Sequence, residues 1–207
     1  IMPRTQRFAP RSPDEVFSRA AAEDFDFPFI VRVAGLHGGI SMVRLTSRED
    51  YSILHTLPFD GRDFYLTQFI DHQDVDGHYH KQRIAVIDGK PILRHWLFNR
   101  DWLIHGSSRS YMLQRESWDE HFVRTQKLET EVLPNLESAI AEITERLQLE
   151  YFGIDGCVLP SGELVVFEAN ANMNILHNPY PEMEEQMRRI NARMHDLLTR
   201  YSGEQVI

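Results

Sequence analysis

Hydrophobic and polar positions change period several times along the chain, and these changes predict a mixture of strands and helices. Short apolar or alternating runs at 29–33 and 40–45, and an aromatic and β-branched run at 64–70, are typical of strands. Two hairpins follow, one turning at Asp88-Gly89 between 79 and 97, the other at Ser161-Gly162 between 152 and 169. Asp-Gly between apolar runs is a strong hairpin signal.

Helical periodicity fills the intervals between these strands. Ser12-Pro13-Asp14-Glu15 has a capping serine, proline in the first turn and glutamate three residues after the serine, which predicts a helix to about Asp24. Further helices are predicted over 46–55, over 116–149 with a break near Pro134, and from Pro181 to about Tyr201. The polar stretch 99–115 is predicted to be a loop.

The order of these elements indicates the fold class. Strands and helices mix without strict βαβ alternation, which favours an α+β fold with largely antiparallel sheets. We expect two lobes, residues 1–60 and 61–207, divided near Asp60-Gly61 ahead of the strand at 64–70.

Composition narrows the class of protein. The chain has 207 residues, 42% hydrophobic and 26% charged, with no apolar run near the roughly 20 residues that span a bilayer. The first ten residues lack the apolar core of a signal peptide, and a single cysteine, Cys157, excludes an internal disulfide, so a cytoplasmic location is expected. A net charge of −9 disfavours a dedicated nucleic-acid binder. Because Ile1-Met2-Pro3 is not a natural translation start, we expect a fragment of a longer protein or numbering from the first ordered residue.

The second hairpin carries the strongest chemical signal. If Ser161-Gly162 is a two-residue turn, Asp155 lies directly across from Glu168, and Asn170 shares their face by the period of two. Opposed carboxylates repel unless a cation lies between them. An all-oxygen set suits Mg²⁺ or Mn²⁺ rather than Zn²⁺, and Mg²⁺ commonly binds together with nucleotide phosphates. The alternative is a solvated polar face without a metal.

The first hairpin has a basic face. With Asp88-Gly89 as the turn, Arg83 is predicted opposite Arg94, and Lys81 opposite Trp96. Such a cluster suits phosphate, because guanidinium groups bind phosphate oxygens through two hydrogen bonds. Alternatively, these long side chains extend across apolar surface into water.

A glycine loop follows the first strand. Gly35-Leu-His37-Gly38-Gly39 could bring backbone N–H groups close to phosphate oxygens, or could be an ordinary mobile surface loop. It is neither a GxGxxG motif nor a P-loop. His78 and His80 could share one face of a strand, but no third metal ligand has suitable spacing.

These features come in one order: a basic strand with a glycine loop, an inter-lobe strand, a basic hairpin and an acidic hairpin. In this order they resemble the ATP-grasp superfamily of RimK-like and D-alanine–D-alanine ligase-like enzymes, from about Pro3 to Asn174. The most specific part is FGID followed thirteen residues later by glutamate-x-asparagine. The resemblance implies that ATP lies in the cleft between two lobes and that the metal, Mg²⁺ or Mn²⁺, is held by Asp155, Glu168 and Asn170.

The resemblance also implies roles for residues outside the acidic hairpin. Arg83, with Arg94, would face the transferred phosphate. The nucleotide contacts would come from Arg32, His37, Gly38, Gly39, Gln68, Phe69, Ile70 and Lys81. Two positions depart from the family pattern: Arg32 replaces the usual lysine, and Ala-Asn-Met-Asn follows Glu-Ala-Asn170 in place of a glycine turn. The lobe that usually precedes this region has no counterpart, so an upstream domain of the full-length chain is expected.

The activity implied is ATP-dependent ligation of a carboxylate to an amine through an acyl phosphate. The expected partner is a small-molecule or peptide acceptor that carries a carboxylate, with no nucleic acid and no membrane. A small-molecule kinase of the same fold is one alternative. A nucleotide-binding pseudoenzyme or regulatory module is another.

Overall fold

A computed structural model describes residues 1–36, 38–173 and 184–203 of the chain. The chain forms two compact units. The first is Met2–Asp71, and the second is Ile1 with His72–Ile207. The division comes later than the boundary expected near Asp60-Gly61, because the strand after that point pairs within the first unit. Among the described helices, none combines the length and the apolar composition needed to cross a bilayer.

The first unit is built on a four-stranded antiparallel sheet. Its strands are β1 (Thr5–Phe8), β2 (Phe29–Val33), β3 (Met42–Leu45) and β4 (Phe64–Gln68), in the order β1-β4-β2-β3. The structure confirms the predicted strands at β2, β3 and β4. The sequence pattern does not predict β1, an edge strand of only four residues.

Two helical segments cover one face of this sheet. Helix α1 (Pro13–Ala22) begins where Ser12 accepts a hydrogen bond from the Glu15 amide, as the capping pattern predicts. The segment Arg48–Thr56 is a 3₁₀ helix with a complete capping box at Ser47. The core beneath them is formed by the inward residues of the strands and helices: Val16, Phe17, Ala20, Phe25, Phe29, Val31, Val33, Val43, Leu45, Leu54, Leu57, Phe64 and Leu66.

The second unit is built on another four-stranded antiparallel sheet. Its strands are β5 (Tyr79–Ile87), β6 (Lys90–Asn99), β7 (Tyr151–Val158) and β8 (Leu164–Asn170), in the order β6-β5-β7-β8. Both hairpins predicted from the sequence are present. With two antiparallel sheets and separate helices, the chain has the α+β class that its element order predicts.

The helices of the second unit differ from the prediction. The expected loop 99–115 contains a short helix, α2 (Ser108–Leu113). The helix expected over 116–149 consists of α3 (Trp118–Lys127), a π turn, a 3₁₀ turn around Pro134 and α4 (Glu137–Leu147), so the predicted break near Pro134 is confirmed. Proline lacks an N–H and clashes with the preceding turn, which is consistent with this break. The last described helix is α5 (Glu184–Gly203), and the predicted start at Pro181 lies outside the described residues.

The two faces of the second sheet have different coverings. One face packs on α4 and the 3₁₀ turn through apolar residues that include Ile84, Val86, Phe152 and Ile154. On the other face, Ala85, Ile87 and Ile92 pack against Met173 and α5. The same face also carries the charged side chains of Lys81, Arg83, Asp155 and Glu168, and we call this part of the sheet the polar face.

Candidate functional site

The polar face is crossed by a row of four ionisable residues, one on each strand. His95 on β6 lies opposite Arg83 on β5, Arg83 lies opposite Asp155 on β7, and Asp155 lies opposite Glu168 on β8. Directly opposed residues in a sheet point to the same face. The register therefore brings a histidine, an arginine and two carboxylates into one line.

The register of β7 and β8 differs from the prediction near the turn and agrees with it at the site. The predicted two-residue turn at Ser161-Gly162 is wrong, because Val158 pairs with Leu164 and the chain between them forms a longer loop. A β-bulge then places Phe167 as an extra residue in β8, between Val166 and Glu168. The bulge offsets the longer loop, so the expected opposition of Asp155 and Glu168 is confirmed.

A second bulge changes the residue pairing predicted for the basic face. The Asp88-Gly89 turn is present, with Ile87 paired to Lys90, but the register of β5 and β6 shifts by one residue beyond Ile84. Arg94 is the extra residue there.

The predicted opposition of Arg83 with Arg94 is therefore wrong, since Arg83 pairs with His95. The prediction for Lys81 and Trp96 is wrong for the same reason, because Lys81 pairs with Leu97.

Asp155 is buried between two basic side chains. Its carboxylate accepts hydrogen bonds from Arg83 at 2.5 Å (Nε to Oδ1) and 2.6 Å (Nη2 to Oδ2). The Nζ of Lys81 lies 2.7 Å from Oδ2. Burial acts to raise the pKa of Asp155, but the hydrogen bonds and charges of Arg83 and Lys81 outweigh it and lower that pKa. Asp155 is thus held as an anion although only 8% of its surface is exposed.

Glu168 and Asn170 complete the oxygen donors of the polar face. Glu168 is exposed, and Asn170 lies opposite Gly153, two residues along from the pair formed by Asp155 and Glu168. The amide oxygen of Asn170 accepts a hydrogen bond from the Asn172 backbone N–H at 2.8 Å, which fixes the orientation of its side chain.

This donor set fits a hard divalent cation. Two carboxylates and one amide oxygen match the oxygen ligands that Mg²⁺ or Mn²⁺ prefers, with room left for phosphate oxygens. Within the described residues no three His, Cys, Asp or Glu side chains are placed to hold a metal ion.

Further basic residues surround the row. Arg94 is buried, and burial, with the charges of Arg109 and Arg83, lowers its pKa. Arg109 is also buried and is carried by α2, which packs against β6. Sequence analysis did not single out Arg109, because α2 lies in the stretch expected to be a loop.

The first unit carries several of the predicted nucleotide contacts. Arg32 lies on the outward face of β2 with its guanidinium 5.3 Å from the ring centre of Tyr65. Gly38 and Gly39 have φ angles of +68° and +77°, a backbone conformation that favours glycine. His37, predicted to contact phosphate, lies outside the described residues. For these residues nucleotide binding stays a prediction.

The inter-lobe strand predicted to contact the nucleotide has a structural role that the sequence did not show. The side-chain amide of Gln68 donates to the carbonyls of Asp26 and Pro28 at 2.9 and 3.0 Å, and its oxygen accepts from the Asp26 N–H at 3.2 Å. Phe69 is buried beneath the guanidinium of Arg44, and Ile70 is half-buried. Gln68 thus fixes the turn before β2, and nucleotide binding by 68–70 stays a prediction.

The remaining candidates from the sequence, His78, His80 and Cys157, lie among other side chains of the protein. His80 contacts Asp74 at 2.5 Å and stacks on Trp96, while His78 is 3.2 Å from the Tyr111 hydroxyl. Cys157 is buried, and burial raises the pKa of its thiol to about 12, which keeps it protonated at neutral pH.

We expect the second unit to lose stability as the pH falls below about 6.5. Burial lowers the pKa of His80, His95 and His121 from 6.5. The unfolded chain therefore takes up protons that the folded chain does not, and each histidine contributes a slope of at most about 1.4 kcal/mol per pH unit. In urea unfolding between pH 7.5 and 5.5, His95→Gln should reduce this slope, whereas exposed His195→Gln should not. Equal slopes for both variants would contradict a contribution of His95 to the pH dependence of stability.

The fold was compared with known proteins. No protein-family model and no curated protein sequence matches the chain. Among solved structures, VanG D-Ala:D-Ser ligase from Enterococcus faecalis matches with a TM-score of 0.56 at 13% identity, over 94% of this chain and 56% of that one. D-alanyl-alanine synthetase A from Vibrio cholerae matches with a TM-score of 0.51 at 10% identity, over 95% and 60%.

The chain thus spans less than two thirds of the length of either solved structure. At these sequence identities the comparison shows a similarity of fold. The described chain therefore shares the fold of these two ligases, which is the ATP-grasp fold that the sequence analysis expects.

Proposed function

We propose that this chain carries the Mg-ATP site of a ligase that joins a carboxylate to an amine. The observation that supports it best is the register that sets Asp155 opposite Glu168, next to Lys81 and Arg83 on the polar face. Carboxylates for a metal and cations for phosphate are the two groups that phosphoryl transfer from ATP requires. The ATP-grasp fold is consistent with this chemistry.

In this proposal the polar face has two groups of binding residues, one for the metal and one for the phosphates. Asp155, Glu168 and Asn170 would hold Mg²⁺ or Mn²⁺, whose charge offsets that of the phosphates. Arg83 and Lys81 would bind the phosphate oxygens. The buried positive charge of Arg94 would stabilise the negative charge that develops at the transferred phosphoryl group. The nucleotide contacts predicted in the first unit, including Arg32, Gly38 and Gly39, belong to the same proposal.

The reaction needs no protein nucleophile. A carboxylate oxygen of the acceptor attacks the γ-phosphorus and ADP leaves, which gives an acyl phosphate. An amine then attacks the acyl carbon, inorganic phosphate leaves, and the amine proton passes to solvent. The chain contributes position and electrostatics, which account for most of the catalysis in such transfers. The acceptor would be a small molecule or peptide that carries a carboxylate.

Ligand-dependent unfolding tests the site directly. With Mg²⁺ and a non-hydrolysable ATP analogue at about 100 times its Kd, the free energy of unfolding should rise by about 2.7 kcal/mol. Glu168→Ala should abolish the rise without unfolding the protein, since Glu168 is exposed. Glu163→Ala removes another exposed glutamate near the same hairpin turn and should leave the rise intact. A rise in Glu168→Ala equal to that of the parent would contradict the metal site.

Product analysis then separates ligase from kinase. A ligase releases ADP and inorganic phosphate with a new amide, whereas a kinase leaves the phosphoryl group on the acceptor. Binding without turnover, tested on the full-length chain, would favour a regulatory module.

A further inference from the structure

Asp155, one of the two carboxylates proposed as metal ligands, already has two cationic partners. Arg83 binds both oxygens of Asp155, and the Nζ of Lys81 lies 2.7 Å from Oδ2. The side chains of Lys81 and Asp155 are largely buried, with 19% and 9% of their surface exposed. Poor access of water makes these charge interactions stronger than those of a surface ion pair.

The charges around Asp155 oppose a metal ion that arrives alone. Lys81 and Arg83 contribute two positive charges against the single negative charge of Asp155, so these three contacting side chains have a net charge of +1. A divalent cation entering this cluster is repelled and must also displace cations from Asp155. Nucleotide phosphates reverse the balance, because they attract the same lysine and arginine.

We propose that Lys81 and Arg83 form a latch on Asp155 that nucleotide phosphate opens. Phosphate oxygens take over the hydrogen bonds of Lys81 and Arg83, which frees the oxygens of Asp155 for the metal. Metal and nucleotide therefore bind as a pair, and metal binding without nucleotide is suppressed. This inference rests on the proposed function, since it assumes that the polar face binds Mg-ATP.

Lys81→Met separates the latch from a merely structural role. The variant keeps Arg83 on Asp155 and retains a side chain of similar length, but removes one competing cation. Manganese ion alone, measured by equilibrium dialysis, should bind about tenfold tighter or more than to the parent. The metal-free ATP analogue should bind more weakly, because a phosphate ligand is lost. A residue with only a structural role would not change the two affinities in opposite directions.

Lys90→Met is the matched control. Lys90 is exposed and lies at the other end of the same hairpin. Its substitution by methionine removes the same charge as Lys81→Met. It should leave the manganese affinity and the analogue affinity close to those of the parent. Urea unfolding of both variants establishes that each is folded before binding is compared.

The outcomes distinguish the latch from the site itself. The latch is overturned if the parent binds the manganese–analogue pair while Lys81→Met and Lys90→Met bind manganese alone equally well. It is also overturned if the parent binds manganese as tightly without the analogue as with it. If the parent binds the analogue neither with nor without manganese, the proposed function fails, and the latch fails with it.

Discussion

Asp155→Asn is expected to destabilise the second unit by about 3 kcal/mol. The substitution keeps the volume of the side chain but removes the carboxylate that both Arg83 and Lys81 contact. Breaking a buried ion pair from one side costs roughly 3–5 kcal/mol, and the partial exposure of Arg83 places the estimate at the lower end of that range. Urea unfolding followed by tryptophan fluorescence measures the loss, because all three tryptophans lie in the second unit.

A double-mutant cycle shows whether the loss belongs to the pair. Arg83→Met alone should also destabilise the unit, since it leaves the buried charge of Asp155 with Lys81 only. The double variant Arg83→Met/Asp155→Leu replaces the two charges by apolar groups. It should cost about 2 kcal/mol less than the sum of Arg83→Met and Asp155→Leu, each measured singly. Additive losses would mean that Asp155 and Arg83 do not interact as the structure describes.

Local sequence patterns were sufficient to predict the strands of the site. The alternation of apolar residues and the Asp88-Gly89 turn identify the first hairpin, because both signals depend on neighbours in the chain. The opposition of Asp155 and Glu168 was also predicted correctly. That agreement depends on two cancelling deviations, a longer loop and an extra residue in β8.

The two bulges could not be predicted from local pattern. A bulge adds one residue to one strand, and its position depends on how the strand twists against the rest of the sheet. At Arg94 this shift was not cancelled, so the predicted partners of Arg83 and Lys81 were each wrong by one residue. Register errors of this kind alter which side chains meet while leaving the strand itself correctly assigned.

Other features of the site arise only from tertiary packing. Arg109 comes near Arg94 because α2 packs against β6, far along the chain from the acidic hairpin. The three hydrogen bonds of Gln68 likewise depend on the turn at 26–28, which sequence spacing does not relate to β4. The resemblance to the ATP-grasp superfamily implies a nucleotide contact for Gln68, and the structure shows its side chain bound to the backbone.

Gly156→Ala is expected to destabilise the second unit by about 2–3 kcal/mol and to weaken metal–nucleotide binding. A methyl group at residue 156 would lie 2.5 Å from the backbone oxygen of Val165. A backbone oxygen cannot rotate away as a side chain can, so β7 and β8 must separate at this point, and such overpacking typically costs 1–3 kcal/mol. The separation would occur beside the bulge at Phe167, which aligns Glu168 with Asp155.

Gly106→Ala is the control for this variant. Nothing lies within 4 Å of the position of the added methyl group at Gly106, and its φ lies outside the positive range that strains a side chain. Its unfolding free energy should stay within about 0.5 kcal/mol of the parent, and its affinity for the manganese–analogue pair should not change. If Gly156→Ala matched Gly106→Ala in both measurements, the close contact with Val165 would not hold the strands in register. If Gly156→Ala lost stability but kept its affinity, the opposition of Asp155 and Glu168 would not depend on the bulge.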